Sequence, residues 1–219
     1  MVAEALVRWN HPVRGMVQPM QFIPFAEQTG FIRQLTLWMF EQAAAQQVAL
    51  ALLGVRRVSV NLSTRDLLDL ELPEKLDAIL RRHRALADGF CLEITESAIM
   101  DDPQRAEATL NALSAAGFKL SIDDFGTGYS SLAYLKRLPV NELKIDKSFV
   151  MAMEKDAGDA KIVRSTIDLA HNLGLTVVAE GVETAQQADA LRREGCDLMQ
   201  GYHFAPPLAA DEFARRLGG

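Results

Sequence analysis

Two aspartates stand side by side at Asp123 and Asp124, after Leu120, Ser121 and Ile122 and before Phe125, Gly126, Thr127 and Gly128. Adjacent carboxylates repel each other, and a folded interior holds them only against a counter-charge. They are not the only polar residues that end an apolar run. Glu4 lies in the first such run, Asn61 follows "RVSV", and Glu93 and Glu96 sit in "CLEITE". Lys144 sits in "NELKID", Glu180 and Glu183 in "VVAEGVE", and Gln200 in "LMQGY". Carboxylates and an amide carbonyl are hard oxygen donors, suited to Mg²⁺ or Mn²⁺. His11, His83, His171 and His203 are scattered, and no His or Cys cluster has zinc spacing. Singly, each residue has an ordinary reading. Asn61 could cap the next helix, Lys144 and Asp146 could form a simple ion pair on one strand face, and Gly126 with Gly128 marks a turn. Jointly they recur at the same end of nearly every strand, which independent surface groups would not do.

The elements that must position these groups alternate along the whole chain. Strand candidates are residues 2–9, 58–62, 90–94, 118–122, 142–145, 175–179 and 197–202. Helical stretches between them are well punctuated. Asp102 and Pro103 open one that stops at Gly117, with Ala106, Leu110 and Leu113 on one face. A second aligns Ile162, Val163, Ile167, Ala170 and Leu173 and stops at Gly174. A third starts with Thr184 and Gln187 in capping-box spacing and ends at Gly195. Such alternation predicts parallel strands joined by right-handed crossovers, in one α/β domain spanning residues 1–219. A barrel is favoured over an open doubly wound sheet, because no G-x-G-x-x-G opens a helix. In a parallel barrel the C-terminal strand ends converge on one mouth, where catalytic groups sit.

Composition narrows the classes further. A formal charge of −6 over 219 residues argues against a nucleic-acid polymer as partner. A small anionic ligand stays compatible, provided cations are recruited locally. Cys91 and Cys196 are too few for a disulfide framework and read as reduced core thiols. No apolar run reaches the length of a membrane span and no signal peptide opens the chain, so the expected location is cytoplasmic, without membrane contact from this chain.

The motifs "EALVRW" at 4–9, "NLS" at 61–63, "EITES" at 93–97, "DDFGTGYSSL" at 123–132, "LKID" at 143–146, "AEGVE" at 179–183 and "QGYHFAPPL" at 200–208 resemble the EAL domain of bacterial cyclic di-GMP phosphodiesterases. The segment "QPMQFIPFAEQTG" at 18–30 is similar to the family's segment after its first motif. The resemblance implies a modified TIM-type (β/α)8 barrel that hydrolyses cyclic di-GMP to linear pGpG. It implies one divalent ion (Mg²⁺ or Mn²⁺) on Glu4, Asn61, Glu93 and Asp123, and a second on Asp123, Asp124 and Glu180. Both aspartates can reach one site only if the backbone turns there, and Gly126 and Gly128 are the expected place for that turn. Lys144, with Glu180 and Glu4, is the expected catalytic set. Arg8, Gln200 and Asp146 are the expected substrate contacts. Glu96 is expected to hold the loop carrying Gly126, Thr127 and Gly128, with Glu183 as a supporting or interface group.

Residues 124–132 and the following helix are the segment through which the resemblance implies a homodimer. The family begins a strand earlier than "MVAEAL", so the expected barrel lacks its N-terminal strand, and the expected setting includes that of the cytoplasmic module of a larger sensor protein. Two alternatives follow from other classes: a receptor that binds cyclic di-GMP without cleaving it, and a metal-assisted aldolase- or enolase-type barrel in which Lys144 forms a Schiff base.

Overall fold

The computed structural model describes residues 1–126 and 135–218. By its internal contacts the chain divides into two compact units. The first comprises residues 1–94 and 98–119 with the extreme C-terminus, and the second residues 95–97 and 120–216.

In the first unit the strands β1 (Val2–Glu4), β4 (Arg57–Leu62) and β5 (Phe90–Thr95) run parallel in that order. Glu4 is opposite Ser59, and Asn61 is opposite Glu93, so Glu4, Ser59, Asn61 and Glu93 share one face. The other face is apolar: Val58, Val60 and Leu62 are buried on β4. Helix α2 (Ile32–Leu52) covers it, with Phe40 fully buried and its ring 4.8 Å from Phe90 and 5.8 Å from Phe118. Helix α1 (Pro19–Thr29) precedes α2, and the four-residue α3 (Thr64–Leu67) and α4 (Leu72–His83) follow β4. Helix α6 (Pro103–Ala115) has the expected Asp102 cap and buries Ala106, Leu110 and Leu113.

The expected strand over residues 2–9 stops at Glu4. Trp9–His11 (β2) pairs instead with Gly15–Val17 (β3) in an antiparallel hairpin. The turn supplies the reason: His11 Nδ1 accepts from the Val13 and Arg14 N–H groups at 3.1 and 3.2 Å, and Gly15 takes φ +67°.

In the second unit β6 (Lys119–Phe125), β7 (Glu142–Ile145), β8 (Thr176–Ala179) and β9 (Leu198–Met199) run parallel in that order. Short helix α5 (Glu96–Asp101) follows β5, and α7 (Lys147–Ala152), α8 (Ala157–Asn172) and α9 (Ala185–Arg193) follow β7 and β8. The capping box predicted at Thr184 and Gln187 is present. On α8 the buried stripe is Val163, Thr166, Ile167 and Ala170, whereas Ile162 is exposed. The expected face is thus buried at Val163, Ile167 and Ala170, with Thr166 added to it. Helix α10 (Ala210–Gly218) closes the chain.

Neither cysteine is in a disulfide and both are buried; burial pushes Cys196 up to about 11, where its Sγ donates to the Leu198 carbonyl at 3.1 Å. Among the described residues no helix is long and apolar enough to cross a membrane.

Candidate metal centre

On β6 the register slips. Ile122 is opposite Leu143 while Phe125 is opposite Ile145, so three steps on one strand match two on the other. This is a β-bulge, and Asp124 is its extra residue, held in the left-handed region at φ +54°. A regular strand would send Asp123 and Asp124 to opposite faces. The bulge lets both reach one place, and the Asp124 N–H donates to Asp123 Oδ1 at 2.9 Å. The turn expected at Gly126 and Gly128 therefore lies two residues earlier, at Asp124. Gly126 does take φ +96°, but only after the strand has ended. Thr127 and Gly128, like most of the expected dimer segment 124–132, lie outside the described residues.

Within the second unit Asp123, Asp124 and Glu180 each offer a carboxylate oxygen, all within 4.8 Å of one another. Lys144 lies among them with its side chain 2% exposed, its Nζ 2.5 Å from Glu180 Oε1 and 3.3 Å from Asp123 Oδ2. A buried ammonium needs such counter-charges. Register explains the meeting: Ser121 and Asp123 share a face with Glu142 and Lys144, and Val178 and Glu180 continue it.

Burial, then the charges of Asp123 and Asp146, raise the Asp124 pKa, with Lys144 opposing them. Burial also pushes Asp146 upward, but hydrogen bonds from the Ser148 side chain and backbone outweigh it, and Asp146 titrates low. Half-buried and facing two other carboxylates, Asp124 carries its negative charge only at a cost, which a cation beside it would offset. The donor set is all oxygen and its charges are under-neutralised, so the residues fit a hard divalent ion.

Within the first unit Asn61 Nδ2 donates to Glu4 Oε1 at 3.0 Å, and Glu93, 2% exposed, is the register neighbour of Asn61. Asn61 caps nothing. The cap of α3 is Ser63, so the amide is left for the strand-end cluster. Arg8 is exposed and donates to the Val7 carbonyl at 2.8 Å. Gln200 follows β9, its N–H donating to the Ala179 carbonyl at 2.8 Å. Glu183 is exposed at the start of α9, its N–H donating to Gln187 Oε1. Glu96 is buried, and its Oε2 has no hydrogen-bond partner among the described residues.

Two groups near the centre were not singled out from the sequence. Glu142, 3% exposed, lies two residues before Lys144, and strand alternation alone would have put it on the same inner face. Ser148 hydrogen-bonds Asp146, a contact with no signature beyond a hydroxyl two residues after an aspartate.

The family model for the EAL domain matches residues 1–207. The chain belongs to the EAL domain family. Among curated relatives of this EAL domain is the bifunctional diguanylate cyclase/cyclic di-GMP phosphodiesterase MucR of Pseudomonas aeruginosa, 43% identical over 95% of this chain and 31% of the relative. The cyclic di-GMP phosphodiesterase NbdA of the same organism is 44% identical over 97% of this chain and 28% of its own length. The EAL domain thus spans about a third of these relatives. Among solved structures, the PaMucR phosphodiesterase in complex with c-di-GMP superposes with a TM-score of 0.90 at 43% identity, covering 96% of this chain and 86% of that one. The EAL enzyme Bd1971, bound to cAMP and cyclic di-GMP, gives 0.92 at 34% identity, covering 99% and 60%. The expected α/β fold of the TIM-barrel type is the fold of these EAL domains.

Proposed function

We propose that this chain is a cyclic di-GMP phosphodiesterase that hydrolyses its substrate to linear pGpG with two divalent ions. The observation that carries the reading is the Asp123, Asp124 and Glu180 triad around buried Lys144. The triad serves one ion and the group of Glu4, Asn61 and Glu93 serves the other. When bound, such ions would make a coordinated water more acidic and neutralise phosphate charge.

The chain's own residues do the rest. Lys144, fixed by Glu180 and Asp123, holds a positive charge where the phosphate oxygens gain negative charge and orients the attacking oxygen. Arg8, exposed on the segment after β1, offers a planar fork to a phosphate of the dinucleotide. Gln200 contributes a polar contact at the end of β9. The homodimer and the cytoplasmic setting implied by the family belong to the same proposal.

Turnover of cyclic di-GMP by this chain with Mg²⁺, with Mn²⁺ and with EDTA, resolved by ion-pair chromatography, tests it. Metal-dependent pGpG is expected, with Lys144→Ala lowering kcat by roughly 10²–10⁴. Saturable binding without product would overturn the reading and make the chain a receptor.

A further inference from the structure

Three consecutive residues at the start of α7 each touch the surroundings of the triad. Asp146, the residue after β7, caps this helix. Its Oδ1 accepts from the Ser148 N–H at 3.0 Å and from the Ser148 hydroxyl in a shorter bond. The Asp146 and Asp124 side chains also face each other within hydrogen-bonding reach.

On one side of Ser148, Lys147 packs under the residue after Glu180. A Cβ placed on Gly181 would lie 2.5 Å from Lys147 Cβ and 3.2 Å from its Cα. On the other side, Phe149 packs against the residue two beyond Asp124. A Cβ on Gly126 would lie 3.2 Å from the Phe149 ring. Both glycines have positive φ, so backbone and side chain alike are fitted to this approach.

Asp124 stands in a left-handed conformation that is unfavourable for an L-residue, and something outside the strand must hold it. A carboxylate has two oxygens. With Oδ1 tied down by two donors from Ser148, Asp146 presents a fixed face to Asp124 and cannot swing in as a competing ligand. We propose that Ser148 is a positioning residue for the ion held by Asp123, Asp124 and Glu180, acting through Asp146 on Asp124. The inference rests on the metal-dependent reading above, but its test does not need turnover. Ser148 is not among the expected metal ligands, and it is exposed, so its removal leaves the core intact.

The test is a titration of the full chain with Mn²⁺ alone, reading free Mn²⁺ by electron paramagnetic resonance, for wild type, Ser148→Ala and Ser148→Thr. In Ser148→Ala one class of ion is expected to weaken about 10- to 100-fold while the other is unchanged. Ser148→Thr, which keeps the hydroxyl, is expected to bind both as wild type does. Kinetics add a second readout. At limiting Mn²⁺ the kcat of Ser148→Ala falls and saturating Mn²⁺ restores it, with KM for cyclic di-GMP unchanged.

Unchanged binding in Ser148→Ala overturns the inference, and so does equal weakening of both ions. Should Ser148→Ala fail to fold, Asp146→Asn decides. It keeps an acceptor for Ser148 but removes the charge facing Asp124, and the same single class must weaken. If wild type binds two ions yet yields no pGpG, the phosphodiesterase reading falls while the metal titration still judges Ser148.

Discussion

Asp124 is the residue on which most of the site's demands converge. It is the extra residue of a bulge and the neighbour of two other carboxylates. Burial and the charges of Asp123 and Asp146 raise its pKa. A raised carboxylate favours the proton-bound folded state. The metal-free chain therefore holds this contribution below the unfolded carboxylate pKa, and loses it as pH rises through the folded value. A divalent ion competes with a proton for this carboxylate, so Mn²⁺ binding is expected to be linked to proton release and to weaken as pH falls towards the raised value. Asp124→Asn should abolish the proton release linked to that ion. Calorimetry in buffers of different ionisation enthalpy reads the release directly, and an identical heat in all of them would contradict this account. The shared face of the candidate ligands was legible because strand alternation assigns faces without coordinates. Glu4, Asn61 and Glu93 fall on one face for that reason. The place of the backbone turn was not, because the two glycines advertise one while Asp124, a poorer left-handed former, makes it.

At the scale of elements, the site depends on pieces too short to stand alone. Helix α3 has four residues, well below the length at which a helix persists by itself. Asp66, 1% exposed, holds it: Oδ2 accepts from the Ser63 N–H at 2.8 Å, the Ser63 hydroxyl at 2.6 Å and the Thr36 hydroxyl of α2 at 2.8 Å. Thr109 of α6 adds a 2.7 Å bond to the Leu67 carbonyl. These ties fix the chain just after Asn61. Asp66→Ala would orphan several buried donors and is expected to cost about 2–3 kcal/mol, read from the midpoint of urea unfolding. An unchanged midpoint would show that water takes over those bonds. Helix caps of this kind were readable at Asp102 and at Thr184 with Gln187, where the capping residue opens a long amphipathic run. They were not readable at Ser63, where no periodic helix follows to give the cap a meaning. The hairpin of β2 and β3 escaped for a related reason. Its turn is held by a histidine side chain, so the apolar alternation of residues 2–9 looked like one continuous strand.

The molecule as a whole is acidic, with a formal charge of −6, and its expected substrate carries phosphates. Cations bound at the proposed sites would reconcile protein with ligand and also relieve repulsion within the folded chain. Mn²⁺ at about 100 times its dissociation constant is expected to add about 2.7 kcal/mol of stability, raising Tm by about 5–10 °C for a chain of this size. EDTA should reverse the rise. A melting curve indifferent to both would remove the metal sites from the folded state's energetics.

The bulge in β6 has a consequence for how this strand can change. From Ile122 to Phe125 the strand is one residue longer than the stretch it pairs with. Losing that residue would leave an unstrained strand with its core-facing pattern intact, but with a single inward acid. Length, more than composition, decides here whether the strand offers one carboxylate or two, and a deletion that heals the backbone would silence one of the two ligand positions.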